Sequence, residues 1–326
     1  MIGWRRLLPL PLVVAVLHFP APAAAGEALD WLLRIHRAAQ ELTYEGTFVY
    51  QHGGKLDTMR VFHRVDNGVV TARLVSLTGP AREVIRTNDE VLCYLPDQKS
   101  VYVEHRRLDG KGFLAIVPER LADLEQNYTV ELGKRARVAG RLAQQLTIRP
   151  RDDYRYGYRL WADRETGLLI RAELVDESGR PLEQFMFTQI AIGADIPDAA
   201  LEPQTPVEGL TWYRDGEGAR EAPTKSWRAA QLPQGFRLSS SVIRRLPLGN
   251  RVVEQLVYSD SLAAVSVFVE RLGDRGTAGM LQGPVRMGAL HAFGKVLDGH
   301  YVTVVGEVPP KTIAMIGESL VPVPKQ

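Results

Sequence analysis

Residues 158–190 read Tyr-Arg-Leu-Trp-Ala-Asp-Arg-Glu-Thr-Gly, Leu-Leu-Ile-Arg-Ala-Glu-Leu-Val, Asp-Glu-Ser-Gly-Arg and Pro-Leu-Glu-Gln-Phe-Met-Phe-Thr-Gln-Ile. Three aliphatic and aromatic runs are separated by two clusters rich in Asp, Glu, Ser and Gly, the signature of short antiparallel hairpins. The spacing predicts a three-strand meander turning at Gly167 and Gly179. In the middle run Leu168, Ile170, Ala172 and Leu174 alternate against Leu169, Arg171, Glu173 and Val175, so one face is apolar. In the third run Leu182 and Met186 alternate against Phe185 and Phe187, so both faces are bulky and apolar. A sheet of this kind must be covered twice. Core packing supplies one cover, and a helix, a partner or an apolar ligand supplies the other.

Upstream, Ala28, Trp31, Leu32, Ile35, Ala38, Ala39 and Leu42 recur at helical spacing opposite Glu27, Asp30, Arg34, Arg37 and Gln40, which predicts an amphipathic helix. Strand-like runs follow at 44–51, 59–65, 69–77, 81–86, 90–95 and 100–105, divided by turn residues such as Asp66-Asn67-Gly68 and Thr78-Gly79-Pro80. Phe113 to Glu125 interrupts them, with Pro118 at the start of a short helix carrying Leu121 and Leu124. Strands resume at 128–132, 137–142 and 144–149 and lead into the meander, about a dozen in all by pattern.

Downstream, residues 196–225 are rich in Pro, Gly and acidic groups and read as a linker. Residues 226–321 form a second unit, with a turn at Leu232-Pro-Gln-Gly-Phe236, strands at 252–258, 264–270, 290–297 and 301–307, and a last helix from Pro310 to Leu320. The expected division is a leader at 1–25, a first domain at 26–195, the linker and a small α/β domain.

Composition narrows the function. A chain of 326 residues with 45% hydrophobic and 24% charged residues has the makeup of a soluble globular protein with room for two domains. A net charge of +2 argues against nucleic acid as a partner. Arg5 and Arg6, an apolar run from Leu7 to Val16 and Ala23-Ala-Ala25 form a secretory signal, too short to span a bilayer. Export to the periplasm is expected. No Cys follows the cleavage region for lipid attachment, and the single Cys93 excludes an internal disulfide. Its strand context, Glu90-Val-Leu-Cys-Tyr-Leu-Pro96, predicts a packed, unreactive thiol.

No nucleophile elbow, phosphate loop, dinucleotide fingerprint or paired-Cys metal motif is present. The histidines at 36, 52, 63, 105, 291 and 300 form no short-spaced ligand pair, and His36 and His63 read as structural. Asp152 and Asp153 read as a solvated turn. The arginines 135, 137, 141, 149, 151, 155 and 159 with Lys134 read as a solvated face, or as a site for a phosphorylated glycolipid or an acidic partner. Many aromatics fall in the first unit, and a half-barrel closed by one helix can keep a ligand cavity where that cover is incomplete. Binding, with no cofactor or metal, fits these residues better than enzymatic catalysis.

Longer motifs add a resemblance. Arg137-Val-Ala-Gly-Arg141, Tyr154-Arg-Tyr-Gly-Tyr-Arg-Leu-Trp161 and Glu183-Gln-Phe-Met-Phe-Thr188 in the first unit, with Leu232-Pro-Gln-Gly-Phe236, Tyr258-Ser-Asp-Ser-Leu-Ala-Ala-Val-Ser-Val-Phe-Val-Glu270 and Asp298-Gly-His-Tyr-Val-Thr-Val-Val-Gly-Glu-Val-Pro309 in the second, resemble the RseB/MucB family of periplasmic regulators. Ser261 stands where the family pattern leads one to expect Gly. The resemblance implies an α+β architecture: a large antiparallel half-barrel similar to the lipoprotein carriers LolA and LolB, then a smaller α/β domain.

It also implies negative regulation of an envelope-stress sigma factor. Such a protein binds the periplasmic domain of a single-pass anti-sigma factor of the RseA/MucA kind and protects it from proteolysis. Lipopolysaccharide or lipoprotein acyl chains would be sensed in the large domain. Phe48, Tyr50, Phe62, Trp161, Phe185 and Phe187 are the candidate lipid contacts. Arg244, Arg245, Arg251, Arg271 and Arg286 are the candidate anti-sigma contacts, because Arg is favoured at interfaces. The alternative is a periplasmic lipoprotein or lipid carrier, which has no need of the second domain. Homo-oligomer formation stays open.

Overall fold

The structure is a computed structural model and describes residues 22–105, 117, 121–215, 220–221, 226–246, 251–272 and 280–324. The expected leader up to residue 21 and Pro118 lie outside them. Among the described residues no helix is long and apolar enough to cross a membrane.

The first domain runs α1 (Pro22–Glu41), β1 (Tyr44–His52), β2 (Lys55–Asp66), β3 (Val69–Ser76), β4 (Glu83–Arg86), β5 (Glu90–Leu95), β6 (Ser100–His105), α2 (Leu121–Asn127), β7 (Tyr128–Val138), β8 (Arg141–Pro150), β9 (Gly157–Asp163), β10 (Leu169–Val175), β11 (Pro181–Ile192) and α3 (Asp198–Leu201). Next come β12 (Thr211–Asp215) and β13 (Arg220–Glu221). The second domain follows as β14 (Trp227–Ala229), β15 (Arg237–Leu246), β16 (Arg251–Ser259), β17 (Ala264–Arg271), β18 (Gly283–Met287), β19 (Leu290–Leu297), β20 (His300–Gly306), α4 (Pro310–Glu318) and β21 (Leu320–Pro322).

One open 12-stranded sheet, ordered β12-β6-β5-β4-β3-β2-β1-β11-β10-β9-β8-β7, makes the half-barrel. Two meanders, β1 to β6 and β7 to β11, are zipped together where β1 pairs antiparallel with β11. The meander at 158–190 sits inside this sheet, with Gly167 and Gly179 at φ +83° and +77°, a region that costs a side chain little only in glycine. Its faces are covered in part by α1. Trp31, Leu32 and Ile35 pack on Leu146, Leu160 and Ala172, while Ala38 and Ala39 pack with Tyr44, Phe48 and Phe187. That side is the inner face of the sheet.

On the outer face, residues 194–205 lie over β2 and β3, where Ile196 and Leu201 bury Phe62. The segment is held by charge. Arg64 bonds Asp198 at 2.6 Å, and the buried Glu83 pairs with Arg73 and accepts the backbone N–H groups of Gln204 and Thr205. Burial alone would raise the Glu83 pKa, but the bonds from Thr205, Gln204 and Arg73 outweigh it and hold the carboxyl below its ordinary value. A depressed pKa adds stability that is present above the unfolded value and is lost as pH falls through the folded one. Glu83→Gln is therefore expected to cost about 2 kcal/mol at neutral pH, with the gap to wild type narrowing in denaturant titrations as the pH is lowered through the carboxylate range.

Several expectations are corrected. Residues 137–142 are not a strand, because Ala139 and Gly140, both at positive φ, make the two-residue turn of the β7–β8 hairpin. The linker is not featureless: its first part packs on the half-barrel, β12 adds a parallel strand to β6, and β13 pairs with β15. Cys93 is half-buried rather than packed away, since β5 lies in the part of the sheet that α1 does not reach.

The second domain is mostly sheet, ordered β13-β15-β16-β17-β20-β19-β18, with α4 against β19 and β20 and a small β14–β21 ladder. Its core is Trp227, Phe236, Leu256, Tyr258 and the valines of β17 and β20 with Ile313 and Ile316. The Ser-rich β15 carries no apolar alternation and is missed by pattern.

Candidate binding face and interdomain latch

Register sorts the aromatics. Phe48 faces Phe187 and Tyr50 faces Phe185 across the β1–β11 ladder, so these four share the inner face. Phe48 lies edge-on to Phe187 at 5.7 Å and to Phe185 at 6.1 Å, and Phe185 meets Phe187 at 6.0 Å. Phe48 and Phe187 are fully packed, while Tyr50 and Phe185 are half-buried at the rim. The other two candidates project from the opposite side of their strands, although Trp161 belongs to the same packed cluster as Phe48 and Phe187. Trp161 pairs with Arg171 and so projects oppositely to its neighbour Leu160, with the Arg171 guanidinium 4.3 Å over its ring. Phe62 pairs with Glu45 and Arg73 and lies under residues 194–205.

The arginine candidates do not converge. Arg251 and Arg271 line a recess of about 1170 Å³ in the second domain, with Trp227 and His300. Arg251 is paired to Glu270 at 2.9 Å. Arg286, on the opposite edge strand, lines a cleft of about 650 Å³ between the domains and bonds the Gly288 carbonyl. Arg244 approaches Glu104 of the first domain at 3.9 Å. Arg245 lies on β15, and its side chain is outside the described residues.

Sequence reasoning missed the contact that joins the domains. Arg155, read as part of a solvated basic face, has 0% of its side chain exposed. It donates to Asp152 at 3.1 Å, to Asp260 of the second domain at 2.6 Å and to the Gln234 carbonyl. Asp260, also 0% exposed, accepts a further bond from Tyr128 at 2.8 Å. Burial, and then Asp260, push the Tyr128 hydroxyl pKa up. Thr312 donates to the Tyr154 carbonyl, and Lys311 pairs with Asp153. Adjacent Asp and Arg residues around position 155 were the available signal, but their partners lie about 100 residues on.

Asp260 also shapes the turn it sits in, taking the N–H groups of Leu262 and Ala263 at 3.0 and 2.7 Å. Ser261 between them adopts φ +86°. A non-glycine residue there carries strain, so Ser261→Gly is expected to stabilise the protein by about 1 kcal/mol, seen as a raised midpoint in denaturant unfolding.

The architecture is that of a two-domain protein in which an open aromatic-lined sheet is joined by a buried ion pair to a second sheet domain. Models of the MucB/RseB N-terminal domain and of the MucB/RseB C-terminal domain match residues 27–205 and 221–321, and the chain belongs to that family. It is 36% identical over 321 residues to the sigma factor AlgU regulatory protein MucB of Pseudomonas aeruginosa, covering 96% of each chain. It is 32% identical over 319 residues to the sigma-E factor regulatory protein RseB of Escherichia coli K12, covering 95% of this chain and 96% of that one. Among solved structures, MucB in complex with MucA(peri) matches 91% of this chain and 100% of its own at a TM-score of 0.69 and 32% identity. The family is one of regulators.

Proposed function

We propose that this protein works in the periplasm, where it binds the periplasmic domain of a single-pass anti-sigma factor. By protecting that domain from regulated proteolysis it keeps the envelope-stress sigma factor inactive. A lipid or lipoprotein acyl chain held by the half-barrel loosens the complex. The observation that carries this reading is the likeness, over nine-tenths of the chain, to a MucB structure with MucA(peri) bound.

The energetics permit such a switch. A ligand shifts the equilibrium only if it binds the released form better than the complexed one. At about 0.8 kcal/mol per buried methylene, roughly ten methylenes offset a complex of micromolar strength, about 8 kcal/mol.

The test is isothermal titration of the mature chain with the periplasmic segment of a MucA-like anti-sigma factor from the same organism, together with a time course of that segment's cleavage by the initiating protease. A micromolar or tighter complex that slows cleavage is expected. Charge reversal of Arg251 and Arg271 together should weaken it by about tenfold or more. Absence of binding at the highest soluble concentrations would end this reading.

A further inference from the structure

The two ends of the half-barrel differ in charge. The second domain docks at the end where β8 finishes at Pro150 and β9 begins at Gly157, through the pair formed by Arg155 and Asp260. The far end is built from the β7–β8 hairpin, the β9–β10 turn and α1. The Arg164 N–H of that turn bonds the Leu142 carbonyl of the hairpin at 2.9 Å, and Arg34 of α1 donates to the Arg164 carbonyl at 3.2 Å. These bonds hold the three elements in one surface.

Arg34, Arg37, Lys134, Arg135, Arg137 and Arg164 crowd this pole, all of them exposed. Among the described residues none of them has a carboxylate within ion-pair distance; Arg34 and Arg137 reach only backbone carbonyls. Arg141 beside them takes the nearby acids, Asp163 at 2.8 Å and Glu165 at 3.2 Å, and Glu41 is the exposed carboxylate left on this half of α1. Leu142 stands in the same surface, 51% exposed. Charged residues on an edge strand commonly block pairing with another sheet, which accounts for Lys134 and Arg135 on β7. It does not account for Arg34 and Arg37 on a helix or Arg164 in a turn. Like charges gathered from separate elements repel, and here their counter-charge lies outside the fold.

We propose that this pole is a docking surface for an anionic phospholipid bilayer, with Leu142 entering the headgroup layer and the basic side chains resting on the phosphates around it. The inference goes beyond the function proposed above and does not rest on it. A spread array suits a surface rather than a small ligand, since both recesses described above are lined by other residues. Long basic side chains around an exposed leucine match the charged and apolar layers of a bilayer in turn. Docked in this way, the half-barrel holds the second domain on the side away from the lipid.

The test is sedimentation of the full mature chain with vesicles of phosphatidylglycerol and, separately, of phosphatidylcholine. Wild type should bind the first, ignore the second and lose affinity as salt is raised. A lysine or arginine near an anionic surface is worth about fivefold, so Lys134→Gln, Arg135→Gln and Arg164→Gln together should weaken binding about a hundredfold. Lys55→Gln, Arg82→Gln and Arg228→Gln together remove equal charge from exposed positions elsewhere and should leave binding nearly unchanged. Leu142→Ser should weaken it about tenfold. Losses that are equal in the two triple variants, or absent from both, would overturn the assignment to the pole. Wild type binding both vesicles alike, or neither, would overturn the proposal outright. Should Leu142→Ser match wild type and an oligoglutamate peptide displace the vesicles, the surface belongs to an acidic protein and the bilayer reading falls.

Discussion

Arg155→Ala should split the thermal unfolding of this protein into two transitions. The pair it breaks is wholly enclosed, with neither side chain exposed. Removing one partner leaves the Asp260 carboxylate buried with Tyr128 and its own turn for company. Leaving a buried charge without its counterion costs about 3–5 kcal/mol, far more than a surface pair would. The loss falls on docking, since Arg155 reaches Asp260 and the Gln234 carbonyl across the domain boundary and lies over the rings of Tyr128 at 5.4 Å and Phe236 at 5.1 Å, one from each domain. Of the other polar contacts between the domains, the Lys311–Asp153 pair is more exposed, while Thr312 donates to the Tyr154 carbonyl from a buried position. Scanning calorimetry decides the matter: a single transition at the wild-type temperature would show that the pair does not hold the domains.

Phe187→Ala should cost about 3–5 kcal/mol, read from the denaturant midpoint at unchanged slope. Phe187 is 0% exposed and packed by Phe48, Phe185 and Tyr44. Its ring fills the space over Gly46, where a Cβ would come within 2.9 Å of the ring. Such a residue belongs to the core. Phe185, two residues back on the same face, is half-buried and is the better probe of ligand binding, because Phe185→Asp would place a charge at the rim without emptying the interior. A loss below about 1 kcal/mol for Phe187→Ala would mean that the space closes on itself.

Much of this fold is legible in the sequence because hairpins announce themselves locally. Asn67-Gly68, Gly167 and Gly179 mark turns by needing positive φ, and the alternation in β1 and β10 marks an apolar face. Pattern alone does not tell which strands are neighbours. Trp161 and Phe185 look equivalent until the ladder pairs one with Arg171 and the other with Ala172, which sends them to opposite faces. Strands β12 and β13 are illegible for another reason. They attach at sheet edges through backbone bonds, to which β12 adds the ring contacts of Trp212 with Tyr94 and Tyr213 with Tyr102, and neither has an apolar repeat, so Pro and Gly nearby make them look like coil. The Arg155–Asp260 pair is illegible because a buried guanidinium and a solvated one are spelled alike, and only the fold brings position 260 to position 155.

The way β12 and β13 are placed sets how the two domains can part. One strand is sewn to the edge of the half-barrel and the other to the edge of the second sheet, with only residues 216–219 between them. Five Cα-to-Cα steps reach about 18 Å at most. While both strands stay in place, an undocked second domain remains on a short leash, facing its own docking surface at an effective concentration on the order of millimolar or above. Docking is then a unimolecular hinge equilibrium, independent of how much protein the cell makes.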